Sequence, residues 1–129
     1  MIVTSIEDVI GTERDVTAEN GTWTSRRIVV AGHNVGFSLH DTRVAAGSVN
    51  RFRYTHHVEA VHIVEGSGSV KDLATGVIHP LKPGTMYLLD DHDEHVLTAH
   101  TDLRAICVFT PAVIGTERHD SSGAFPSNT

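Results

Sequence analysis

A chain of 129 residues with 40% hydrophobic and 20% charged residues has the size and composition of one soluble globular domain with a modest core. Its formal charge of −6, without any basic run, excludes a nucleic-acid backbone as partner, because binding phosphates needs clustered Lys and Arg. The start, MIVTSIEDVIGTERD, places acids where a secretory signal needs an unbroken apolar core, and no membrane span is expected in the rest.

The first predicted element is a short helix over residues 5–10, with Ser5 as N-cap and Asp8 at the capping-box position. Beyond it, turn signals recur: Asn20-Gly21, Gly32-His33-Asn34, Ala46-Gly47, Gly66-Ser67-Gly68, Thr75-Gly76, Pro83-Gly84 and Asp90 to Asp93. Between them lie the β-rich runs RRIVV (26–30), VGFSLH (35–40), VEAVHIV (58–64), TMYLL (85–89), HVLTA (95–99) and LRAICVF (103–109). Short strands so punctuated predict an all-β sandwich or barrel. There is no internal repeat and no linker, so residues 1–129 read as one domain, with 121–129 as a small, polar, mobile tail.

Strand alternation says which side chains meet. Leu103, Ala105, Cys107 and Phe109 share one face, as do Trp23, Ser25 and Arg27 if that stretch is extended. Glu59 shares its face with Val61 and Ile63, an acid in an otherwise apolar row, and a buried carboxylate needs a partner or a metal. Cys107 is the single cysteine, so no intrachain disulfide forms and a cytoplasmic setting is expected; its role reads as a small buried hydrophobe.

Gly47, Glu59 and Gly66 stand at the spacing of the first cupin motif, but Arg53 and Thr55 occupy its two histidine positions. The adjacent His56 and His57 are out of register with those positions and read as loop residues. In the second motif Tyr87 stands where a histidine is usual after Gly84, and His95 follows eight residues later. Glu59, Tyr87 and His95 can converge inside a barrel. They are either an oxygen-rich metal set suited to iron, with positions left open, or a hydrogen-bonded trio with Tyr87 a core aromatic, which spacing alone favours.

Over nearly its whole length the chain resembles the ectoine synthase family of cupins. The matching stretches are GTERDVTAENGTWTSRR (11–27), VGFSLHDT (35–42), HHVEAVHIVEGSG (56–68), HPLKPGTMYLLDDHDEH (79–95), LRAICVFTP (103–111) and GTERHDSSGAFP (115–126). The resemblance implies a cupin-type β-barrel (jelly roll) with a short N-terminal helix, a cytoplasmic homodimer, and a role in osmotic stress through the compatible solute ectoine. It implies a carbon–oxygen lyase (hydro-lyase) that cyclises (2S)-4-acetamido-2-aminobutanoate, an acetylated diamino acid, with loss of water. It implies Fe2+, or another divalent metal, on Glu59, Tyr87 and His95. Substrate contacts carry over to Trp23, Arg27, Thr42, Tyr54, Phe109, Glu117 and His119, with Glu117, His119 and Tyr54 as candidate catalytic residues. His92 and Asp93 are candidates to support the metal ligands.

The chain departs from the family at His62 and Ile63 after its EAV, and at Thr110 and Ala112, which flank the expected site. Arg27 is a candidate carboxylate clamp, since its planar fork suits bidentate binding. Glu117 and His119, two apart, face the same way in an extended segment as an acid/base pair. Two other readings remain: a non-enzymatic cupin that binds a small ligand, and an iron dioxygenase, which the missing histidine set weakens.

Overall fold

Side chains that alternate between core and solvent pair the strands into two antiparallel sheets. In the computed structural model, which describes residues 1–127, the strands are β1 (Asp15–Thr17), β2 (Trp23–Val29), β3 (Ser38–Val44), β4 (Val49–Phe52) and β5 (Val58–Glu65). They continue with β6 (Gly68–Asp72), β7 (Ile78–Leu81), β8 (Met86–Leu89), β9 (His95–Ala99) and β10 (Leu103–Thr110). One sheet has the order β1-β2-β3-β10-β5-β8 and the other β4-β9-β6-β7. The expected all-β jelly roll is therefore present. Among the described residues no helix is long and apolar enough to cross a membrane.

The N-terminal helix is a single 3-10 turn over Ile6–Asp8. The Asp8 carboxylate accepts the Ser5 amide at 3.0 Å, as the capping box predicts. The run expected at 35–40 becomes strand only from Ser38, because Asn34 and Gly36 adopt positive φ (59° and 87°) and break the extended backbone. Strands β1, β4, β6 and β7 were not expected. Pro80 is tolerated in β7 because that strand is the edge of its sheet.

The core lies between the sheets. Along β10, Leu103, Ala105, Cys107 and Phe109 are all buried, the face predicted from alternation. Glu59, Val61 and Ile63 of β5 are likewise buried together. After β10 the chain turns back at Pro111 and runs as an irregular strap. Arg27 of β2 bonds its carbonyls at Gly115 and Glu117, and Arg53 beyond β4 bonds the carbonyl of Gly123. This strap thus touches both sheets. Within the stretch expected as a tail, Ala124 is 0% and Phe125 2% exposed; residues 128 and 129 lie outside the described residues.

Candidate active site

Register brings the site together. Residues opposite one another on paired strands share a face, so one inward row of the larger sheet reads Arg27, His40, Cys107, Val61, Tyr87. The next row reads Ser38, Phe109, Glu59, Leu89. Glu59 is thereby a diagonal neighbour of both Tyr87 and Cys107. From the facing sheet His95, opposite Phe52 in register, completes the group. Glu59, Tyr87 and His95 line one cavity between the sheets, with Trp23, Thr42, Tyr54, Phe109 and His119.

Glu59 is 6% exposed, and none of the ion pairs among the described residues includes it. Burial pushes its carboxyl up to about 8, offset in part by a hydrogen bond with the Cys107 thiol. Burial, and then the nearness of Glu59, holds the Tyr87 phenol well above its ordinary value. His95 is pushed down by burial, which keeps its imidazole neutral. Its Nδ1 donates to the Asp93 carbonyl at 2.9 Å, so Nε2 is left as an acceptor. Such an imidazole, its far nitrogen tied to a carbonyl, is the form that binds metals. The ring centroids of Tyr87 and His95 are 6.2 Å apart.

One buried carboxylate, one partly buried phenol and one buried imidazole make a donor set that a divalent cation fits, because its charge would compensate an ionised Glu59 in the low-dielectric interior. Among the described residues no group of three or more His, Cys, Asp and Glu side chains could hold a metal ion. The trio differs in that a phenol is its third donor. His92 lies nearby by a different route, its Nδ1 donating to the Tyr54 carbonyl at 2.8 Å.

The strap carries the other polar groups. His119 Nε2 stands 2.9 Å from the Tyr54 hydroxyl. Burial, then Arg27, pushes His119 down to about 4, while burial holds Tyr54 well above its ordinary value. Both are therefore neutral near pH 7. His119 also lines a second, more polar hollow with Arg51, Arg118 and Asp120, so it stands between cavity and solvent side. Glu117 is not brought to the cavity. Its carboxylate accepts the amides of Ile114 (2.6 Å) and Gly115 (2.7 Å), which folds the loop whose carbonyls hold Arg27.

Arg27 is 0% exposed and lies just behind the cavity wall. Its Nε donates to Ser25 Oγ at 2.8 Å and one Nη to the carbonyls of Gly115 and Glu117, while Nη2 is buried without a partner. Burial lowers it to about 10, so it stays charged at neutral pH.

Three residues were missed by sequence reasoning. His40, on an inward row, lies between Ser25 Oγ and Ser38 Oγ, each at 3.2 Å. Each serine oxygen also accepts a second hydrogen bond, Ser25 from Arg27 Nε and Ser38 from the Val113 amide, so one serine donates to the His40 ring and the other accepts from it in either tautomer. The alternation of β3 was the signal for it. His57 is in a loop as expected but only 2% exposed, with neither ring nitrogen hydrogen-bonded. Phe125 enters the cavity from the strap, and no local pattern announces it. Of the departures, His62 is exposed, Ile63 lines the cavity, Thr110 is exposed and Ala112 is buried.

The chain is similar along its length to proteins of one family. The family model described as ectoine synthase matches residues 1–129. The L-ectoine synthase of Mycobacterium sp. (strain KMS) is 55% identical over 127 residues, 98% of this chain and 97% of that protein. The crystal structure of ectoine synthase from P. lautus superposes with a TM-score of 0.83 at 40% identity, covering 89% of this chain and 81% of that one. An RmlC-like cupin from Shewanella frigidimarina NCIMB 400 shares the fold, with a TM-score of 0.63, 20% identity, and 76% and 84% coverage. On its sequence, its barrel and these matches, the chain belongs to the ectoine synthase family.

Proposed function

We propose that the protein is an L-ectoine synthase, an enzyme that cyclises (2S)-4-acetamido-2-aminobutanoate to ectoine and acts as a hydro-lyase. The observation that carries this reading is full-length similarity to L-ectoine synthases together with a cavity between the sheets lined by Glu59, Tyr87, His95 and the hydrogen-bonded pair Tyr54 and His119. Glu59, Tyr87 and His95 would hold ferrous iron or another divalent ion, which when bound supplies Lewis acidity toward the acetamide oxygen.

The remaining work falls to the chain's own groups. Trp23, Phe109 and Tyr54 wall a narrow space that folds the substrate so its 2-amino group meets the acetamide carbon. The reaction is intramolecular, so this placement is itself a large part of catalysis. Attack forms the C–N bond of a six-membered carbinolamine, and the amine proton passes to the Tyr54 hydroxyl as that hydroxyl gives its own proton to His119 Nε2. The same pair returns that proton to the carbinolamine oxygen, and a second proton, taken from a ring nitrogen through the same relay, reaches the hydroxyl as the C–O bond breaks, so water leaves and the conjugated amidine remains. The positive charge of Arg27 favours the substrate carboxylate in a medium of low dielectric. Glu117 acts by holding the loop around Arg27.

A cytoplasmic home fits the buried free thiol of Cys107. A homodimer fits the exposed Met86 and Leu88 on β8, the edge of its sheet. A role in osmotic stress follows from the product. Incubating metal-loaded protein with the acetylated diamino acid should yield ectoine and water. Saturable binding without ectoine would instead support a ligand-binding cupin.

A further inference from the structure

Phe125 belongs to no strand, yet it is 2% exposed and lines the cavity. Its ring centroid lies 4.6 Å from that of His119, 5.1 Å from Phe109 and 5.3 Å from Tyr54. The guanidinium carbon of Arg27 is 5.2 Å from the same centroid, within cation–π range. One ring therefore touches the proton-carrying pair, the cavity wall and the buried cation.

A compact turn places it there. Asp120 Oδ1 accepts from the Ser122 amide (2.8 Å), the Ser122 hydroxyl (2.6 Å) and the Ala124 amide (3.3 Å). The Asp120 amide donates to the Ala124 carbonyl at 2.8 Å, and Gly123 donates to the Asp120 carbonyl at 3.1 Å. This turn rests on β4. A Cβ at Gly123 would meet the Arg51 carbonyl oxygen at 2.6 Å and Phe52 Cα at 3.1 Å, and its φ of +78° is itself one that side chains avoid.

We propose that Phe125 is a positioning residue for the cyclisation, set into the barrel mouth by the Asp120–Ala124 turn, where it braces His119 against Tyr54 and backs the Arg27 guanidinium. Besides its hydrogen bond to Tyr54, His119 packs against Trp23 (4.8 Å between ring centroids) and Phe52 (5.0 Å), and of its ring neighbours Phe125 is the nearest. Removing the ring opens a void beside a residue that must stay within hydrogen-bond reach of Tyr54. Gly123 lies outside the cavity lining, yet the same geometry makes it decide whether Phe125 seats.

The proposal rests on the ectoine synthase reading for its activity arm alone. The variants are Phe125→Ala, the milder Phe125→Leu, and Gly123→Val. The readouts are kcat and KM, and acrylamide quenching of Trp23, the single tryptophan, measured without substrate. Phe125→Ala and Gly123→Val should each lower kcat on the order of 100-fold with a smaller change in KM, as misplacement of a catalytic group does. Both should raise Trp23 quenching while the thermal unfolding transition persists, and Phe125→Leu should recover part of the loss in both readouts. Wild-type quenching in Phe125→Ala and Gly123→Val overturns the placement. Raised quenching with undiminished kcat overturns the positioning role. If the wild-type protein forms no ectoine, the reaction assignment fails, and the quenching arm still decides whether the turn seats Phe125.

Discussion

Tyr87 lies beside Glu59 on adjacent strands, and a phenol so placed has a spectroscopic consequence. If it binds iron, oxidation to the ferric state should give a visible phenolate charge-transfer band. Tyr87→Phe should abolish that band and keep the fold, and a surviving band would point to Tyr54. His57 makes the opposite kind of prediction. Its ring, with both nitrogens unpartnered, has its centroid 5.9 Å from that of Phe109 and 6.1 Å from that of Phe125. A buried polar group left unsatisfied costs about 1–3 kcal/mol, so His57→Leu should raise stability by about 1 kcal/mol in urea unfolding. A fall instead would show that a buried water satisfies the ring. That Glu59, Tyr87 and His95 converge in the barrel was legible in the sequence, because Glu59 breaks an apolar row and Tyr87 breaks a motif. His57 and Phe125 were not, since their burial depends on a strap that returns over the barrel from far along the chain.

Between β5 and β6 the chain leaves one sheet and joins the other within two residues, Gly66 and Ser67. A Cβ on Gly66 would lie 2.1 Å from the Asp102 carbonyl oxygen, and one on Gly68 2.2 Å from that of Thr98. Both obstacles are backbone, so they cannot swing aside as a side chain would. Gly66→Ala should therefore lose about 3 kcal/mol of stability, the upper end of overpacking costs, measured as a shift in urea midpoint. A variant within about 0.5 kcal/mol of wild type would mean that this crossing is far softer than its geometry implies. The strands read correctly from sequence were those with dense β-branched and apolar runs, such as β5 and β10. The missed ones are short (VNRF in β4, IHPL in β7) and take their strand character from neighbours in register.

Titration acts on the molecule as a whole. His40, His57, His95 and His119 are all lowered by burial, His119 to about 4 from 6.5. A histidine so lowered binds fewer protons folded than unfolded, so its contribution is present above about 6.5 and lost as pH falls toward 4. Glu59 has the reverse sign. Raised from 4.5 to about 8, it favours the fold at low pH, and that contribution is lost as pH rises through about 8. With chelator present, the melting temperature should peak near pH 6.5, falling on both sides. A divalent metal on an ionised Glu59 should remove the alkaline decline. A flat profile from pH 6.5 to 8 in chelator would show that Glu59 is not held protonated. The strap has one more consequence, in the order of synthesis. The ribosome delivers the strands first, through Thr110, and His119 and Phe125 only afterwards. A nascent chain that stops there has its strands but leaves open the core face that Val113 and Phe125 cover in the finished protein. A cut at the exposed Ser121 or Ser122 would remove Phe125 while His119 stays attached, so on the proposed roles it should slow ectoine formation.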